Sequence, residues 1–181
     1  MKKYLPIYLY GTIIIIEGLF LLFSTDYSIK MISLTSGIVL ILGAVLAFFA
    51  SFTTSARPVQ HKYHKMHSIA MLIYGLLLLV FCSSFERFTS FTAFLLLFYS
   101  FSEIIFCNWL FNLSQRTVFK IIIIRFLLGL AAGFGTVIAL NFTSYTLEVY
   151  GVLFLLVGIN VLLYVPVMKR NVFKELDFTV K

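Results

Sequence analysis

Six stretches of the chain, at about 4–23, 31–52, 67–84, 89–112, 118–141 and 145–167, are almost free of charge. Each is close to the 20 residues that carry an α-helix across a hydrocarbon core of roughly 30 Å. The composition agrees: 61% of the residues are hydrophobic and 12% charged, against about 45–50% and 25% in an ordinary soluble domain. A water-soluble fold of 181 residues could not hide that much apolar surface. A soluble enzyme, a nucleic-acid-binding module and a disordered chain are therefore excluded. Membrane β-strands would alternate apolar and polar residues. Runs such as Ile13–Ile16 and Ile121–Ile124 do not alternate. The expectation is an all-α polytopic membrane bundle, a single domain over 1–181. A basic loop over 53–66 and a polar tail over 168–181 complete it. The N-terminus imitates a secretory signal, but its apolar run is too long, contains Glu17 and ends without an Ala-x-Ala-like site, so it reads as an uncleaved first span.

Lysine and arginine orient the spans, because cytoplasmic loops carry the excess. One side collects Lys2, Lys3, Arg57, Lys62, Lys65, Arg116, Lys120, Lys169, Arg170, Lys174 and Lys181, and the other only Lys30 and Arg87. Both termini are expected in the cytoplasm, with the protein in the inner membrane. The net charge of +7 is then a topology signal with no nucleic-acid partner behind it. The basic rim would attract anionic lipid headgroups.

Small residues recur at a fixed interval. Gly18, Gly75 and Gly133 are 57 and 58 residues apart, as are Gly43, Ser100 and Gly158; Gly37, Ala93 and Gly151 are 56 and 58 apart. This spacing predicts three helical hairpins, over about 4–52, 67–112 and 118–167, each starting on the same side. They would be parallel repeats about an axis along the membrane normal. Lipid supplies little hydrophobic drive between helices, so residues that let backbones approach become the contacts. Gly11, Gly18, Gly37, Gly43, Gly75, Gly151 and Gly158, with the Gly129-x-x-x-Gly133 segment, should line helix–helix faces. The expected use is packing within the chain. A homo-oligomer or a membrane-protein partner is the other use of such faces.

Ionisable groups at membrane depth are costly and mark candidate functional positions. Glu103 descends to about the depth at which Arg125 rises in the next helix, within roughly 3 Å at 1.5 Å per residue. The two are expected to form a buried ion pair. Glu17 has no cation at its depth in the outer half of the first helix, and burial there favours the neutral, hydrogen-bonded acid. Tyr74, 57 residues on, falls at the equivalent place, so Glu17 and Tyr74 form a candidate protonatable site.

His61, His64 and His67 fall in the basic loop at i, i+3, i+6. They are weak metal candidates, since Lys62 and Lys65 repel a cation; a solvated loop is the expectation. No helix then carries a histidine, which counts against an intramembrane serine protease. Cys82 and Cys107 should differ too much in depth to pair. There is no G-x-S-x-G, H-E-x-x-H or P-loop, so neither catalysis nor a cofactor is expected.

The opening of helix 4 with Ala93-Phe94, the turn with Gln115-Arg116, the glycine-rich fifth helix and Val157-Gly158-Ile159-Asn160 resemble the bacterial acid-resistance membrane protein family (HdeD-like). The likeness is best from Thr92 onward. The first outer turn, Ser24-Thr25-Asp26-Tyr27, lacks the proline common in that family. The resemblance implies six transmembrane helices, an inner-membrane location and a link to acid stress, with no catalytic residues to carry over. The expected function is thus non-catalytic and stress-related. A small-solute or proton-coupled transporter or channel, and a membrane scaffold or assembly subunit, are the alternatives.

Overall fold

The computed structural model describes residues 4–53, 58–113, 116–141 and 146–169. Each apolar stretch is a helix: α1 Leu5–Leu22, α2 Ile29–Thr53, α3 Pro58–Phe81, α4 Phe85–Leu113, α5 Arg116–Asn141 and α6 Thr146–Leu162. A short α7, Tyr164–Lys169, continues α6. The step between them falls where Pro166 has no N–H to give the Leu162 carbonyl. Pro58 opens α3, where its fixed φ suits a first turn and a missing N–H costs nothing. Six helices are long and apolar enough to cross a membrane, and no strand occurs among the described residues.

Two boundaries differ from the expectation. α3 begins at Pro58, not near 67, and its membrane-length portion starts at Lys62. The segment 58–67 is therefore not a solvated loop. Its lysines hide the pattern in a hydropathy window, but Tyr63, His64, His67 and Ser68 are buried while Lys62 and Lys65 are exposed. This is the amphipathic start of a helix. α4 likewise starts earlier, at Phe85.

The helices pack in chain order as an up-and-down ring that α6 closes against α1. The closest pairs are α1 with α6, α2 with α3, and α4 with α5. Glycine permits the approach. A Cβ on Gly18 would stand 2.7 Å from the Gly151 carbonyl oxygen, and one on Gly151 would stand 2.8 Å from that of Gly18. Gly11 meets Gly158 in the same way one level away, and Gly75 meets Gly37 across α2 and α3. Between α4 and α5, Gly133 packs on Ser100, and a Cβ on Gly129 would stand 3.0 Å from Glu103 Cγ. Gly43 instead packs on Met71 and Ile13. The buried faces of α2, α4 and α6 match at intervals of 56 and 58, which aligns Ser100 and Gly158 with Ala44 rather than with Gly43. The contacts agree: Ser68 donates a 2.7 Å hydrogen bond to the Ala44 carbonyl, where Gly11 meets Gly158 in the other pair. Many of the Ile, Leu and Phe side chains, such as Leu42, Ile73, Phe94 and Phe134, face outward.

Backbone against backbone leaves no side chain to yield. Gly18→Val and Gly151→Val should each destabilise the bundle by about 1–3 kcal/mol or more, read as a lower unfolding temperature in detergent. Gly133→Ala, whose nearest neighbour is the Ser100 side chain at 3.2 Å, should cost less.

Candidate functional site

The buried polar side chains fall into two levels, one toward the end where α1, α3 and α5 begin and one toward the opposite end. The first level is built around Arg125 and Glu103, both 0% exposed. Arg125 Nε donates to Glu103 Oε1 at 2.9 Å and Nη2 donates to Oε2 at 3.0 Å. This two-pronged geometry suits guanidinium and carboxylate. Tyr63 O–H donates to Glu103 Oε2, and its oxygen accepts from Arg125 Nη2 at 3.2 Å. The Cys107 thiol donates to Oε1. Both carboxylate oxygens are saturated. Gly129 makes room for this side chain against α5, so the G-x-x-x-G segment seats a charged group as well as a backbone.

An aromatic box surrounds the pair. The guanidinium carbon lies 4.9 Å from the Tyr164 ring centroid and 5.7 Å from that of Phe106, distances at which a ring face attracts a cation. Tyr63 stacks on Phe106 at 4.1 Å and lies 4.2 Å from His67. His64 meets Tyr164 edge-on at 4.7 Å.

His67 extends the network. Ser102 donates its hydrogen to the Tyr99 carbonyl at 2.8 Å, so the 2.6 Å contact between His67 Nε2 and Ser102 Oγ has the ring as donor. Nδ1 lies 3.3 Å from the Tyr10 hydroxyl, so both ring nitrogens are engaged. The Tyr99 hydroxyl oxygen accepts from Asn160 Nδ2 at 2.7 Å.

The expectation for the histidines is thus corrected. His64 and His67 are 1% and 3% exposed on α3, inside the bundle, because the ring can enter a polar cluster while the flanking lysines stay outside. α3 does carry histidines, so their absence from helices is no argument against a protease. His61 lies on α3 with its side chain outside the described residues. Among the described residues, no three His, Cys, Asp or Glu come together to hold a metal. Cys82 and Cys107 are free thiols.

The second level holds Glu17, also 0% exposed. Neither carboxyl oxygen has a hydrogen-bond partner. The Ser36 hydroxyl stands near enough to act on it but outside hydrogen-bond geometry, itself unpartnered. Tyr74 is on this level and exchanges a 2.8 Å hydrogen bond with Thr92. An apolar layer separates the levels. Ile14 lies between Tyr10 and Glu17 on α1, Met71 between His67 and Tyr74 on α3, and Leu96 between Thr92 and Tyr99 on α4; all three are buried. A void of about 20 Å³ sits there, lined in part by Tyr10, Ile14, His67, Leu96 and Tyr99. It has room for about one water.

Tyr10, Tyr63, Tyr99 and His67 were missed as members of the first level. One signal was available: stepping back 58 and then 57 residues from Arg125 gives His67 and Tyr10. No protein-family model, curated protein or solved structure matches this chain.

Removing one partner of the ion pair strands the other in a dry interior. Glu103→Gln and Arg125→Gln should each cost roughly 3–5 kcal/mol. Glu103→Met with Arg125→Met should cost much less than the sum of the two Met singles, a coupling read from the unfolding temperatures of all four chains.

Proposed function

We propose that this chain is a bacterial inner-membrane protein, both termini cytoplasmic, whose helix packing responds to a proton held by Glu17 without catalysis or a cofactor. Three like hairpins would make up its bundle. The positional matches support that architecture: Gly11 against Gly158 beside Ser68 on Ala44, and Tyr10, His67 and Arg125 at successive equivalent places. The resemblance to the acid-resistance family points to acid stress as the setting.

The observation that carries the reading is the Glu17 carboxyl, wholly buried with no hydrogen bond to either oxygen. An unpaired carboxylate in a dry interior costs far more than the neutral acid. Glu103 shows the contrast, since its charge is answered by Arg125 and two further donors. A proton on Glu17 therefore favours the packed bundle, and losing that proton favours a rearrangement that brings water or a partner to it.

A second reading, proton-coupled transport, draws on the one-water void between the two polar levels. The apolar layer across that void closes the path in this conformation. The scaffold reading finds less support, because most of the glycines that a partner could have used are taken up by neighbouring helices, the use expected of them.

Dicyclohexylcarbodiimide, which modifies protonated carboxyls in apolar surroundings, should label Glu17 and leave Glu103 unmodified, as read by peptide mass spectrometry. Stability should fall as pH rises in the wild type, because the folded state holds the neutral acid and only ionisation penalises it. Glu17→Gln should flatten that dependence. A wild-type pH profile in Glu17→Gln would remove Glu17 from the mechanism. Proton flux in liposomes that is lost in this variant would favour the transport reading.

A further inference from the structure

α3 and α4 are joined by only three residues, 82–84, yet they part at mid-height. Toward one end they are pinned by the 2.8 Å hydrogen bond between Tyr74 and Thr92. Toward the other they are pinned by Tyr63, which bonds Glu103 and stacks on Phe106. Along this side runs a groove of about 650 Å³ that extends past the Tyr74–Thr92 bond and is lined by Ile69, Ile73, Leu77, Phe91, Phe94 and Phe98 among others. That volume is within the roughly 300–1,000 Å³ of ordinary ligand sites. Phe94 is 71% and Ile73 52% exposed, so the groove opens sideways, and within the membrane-spanning segments that means into hydrocarbon. Whatever fills it comes from the bilayer.

Charge at one end narrows the occupant. Met66 lines the groove where α3 nears its start. Lys62 precedes Met66 by four residues and Lys65 precedes Ile69 by four, so both lysines continue the groove's own stripe of the helix. Both are exposed. From Lys65 to Tyr74 the helix rises about 14 Å, close to half of a roughly 30 Å hydrocarbon core, the reach of one acyl chain.

We propose that the α3–α4 groove binds one acyl chain of an anionic phospholipid whose phosphate rests on Lys62 and Lys65. This is a defined lipid site, distinct from a general attraction of the basic rim. Tyr74 of the Glu17 level lines the groove, but neither Glu17 nor the ion pair does, so lipid binding can be read separately from the response of Glu17 to a proton. A lipid there would brace the least closely packed neighbouring pair in the ring.

The test follows thermal unfolding of the delipidated full chain in detergent with four probes: dioleoyl phosphatidylglycerol, dioleoyl phosphatidylcholine, dihexanoyl phosphatidylglycerol and inorganic phosphate. Dioleoyl phosphatidylglycerol should raise the unfolding temperature saturably, phosphatidylcholine less, and the short-chain lipid and phosphate hardly at all. Replacing both lysines, Lys62→Gln with Lys65→Gln, should raise the concentration of the anionic lipid needed by roughly 10–30-fold and leave the zwitterionic response unchanged. Ile73→Trp, which fills the groove, should abolish the response to both long-chain lipids, whereas Ile73→Leu keeps it. If Ile73→Trp is not monodisperse, Phe94→Trp at the exposed rim takes its place. Equal responses to the two dioleoyl lipids in the wild type, a full response to inorganic phosphate, or a wild-type response in the filled variant would each overturn the proposal.

Discussion

Every polar side chain that this protein sends into the bilayer has to be answered by another, because no bulk water is there to do it. Glu103 shows what full satisfaction requires. Four donors from three residues other than its own converge on two oxygens, and three helices supply them: Arg125 from α5, Tyr63 from α3 and Cys107 from α4 itself. That convergence fixes the rotation of α3, α4 and α5 about their own axes. The stacked rings of Phe106, Tyr63 and Tyr164 then take positions around the guanidinium that rotation has already set. Some buried hydroxyls also lack a partner, Ser36, Ser100 and Tyr164 among them, but Glu17 is the buried carboxyl with neither oxygen answered, which makes it the position to question. One carboxyl is held by four donors; the other is buried with no hydrogen bond to either oxygen.

Packing answers a different need. With lipid on the outside, apolar surface gains little by turning inward, so closeness has to come from small residues. The α1–α6 and α2–α3 contacts use glycine backbones directly. The α4–α5 contact uses Ser100 on Gly133 and the stem of Glu103 on Gly129, so the same kind of crossing there serves to admit the charged pair. Within the hairpins the neighbours are less close, and between α3 and α4 the gap widens into a lateral groove. The fold is thus tight where glycines meet, and open where Phe91, Phe94 and Phe98 stand in their place.

Much of the site could be read from particular residues. Glu103 and Arg125 are the only opposite charges at matching depth in successive spans, and a charge in hydrocarbon has few ways to be satisfied. The histidines could not be placed by the same logic. A hydropathy window averages His64 and His67 with Lys62 and Lys65 and returns a loop, although the helix turns the rings inward and the lysines outward. Tyr10, Tyr63 and Tyr99 were invisible for a related reason. A tyrosine in a membrane helix suits lipid interface, ring stack or hydrogen bond equally, and only its neighbours across the bundle decide which.

What the sequence determined by itself is the solvent and the element. Long apolar runs with few charges demand a bilayer, and a bilayer demands that each backbone hydrogen bond be made within its own helix. Spacing along one chain also carried the glycine faces, since a helix repeats its faces at fixed intervals. The tertiary structure decided which helices touch, that α6 closes on α1, that His67 and Tyr10 join the charged cluster and that Glu17 is left without a partner. Those outcomes depend on the rotation and separation of helices far apart in sequence, and no single helix encodes the distance to its neighbour.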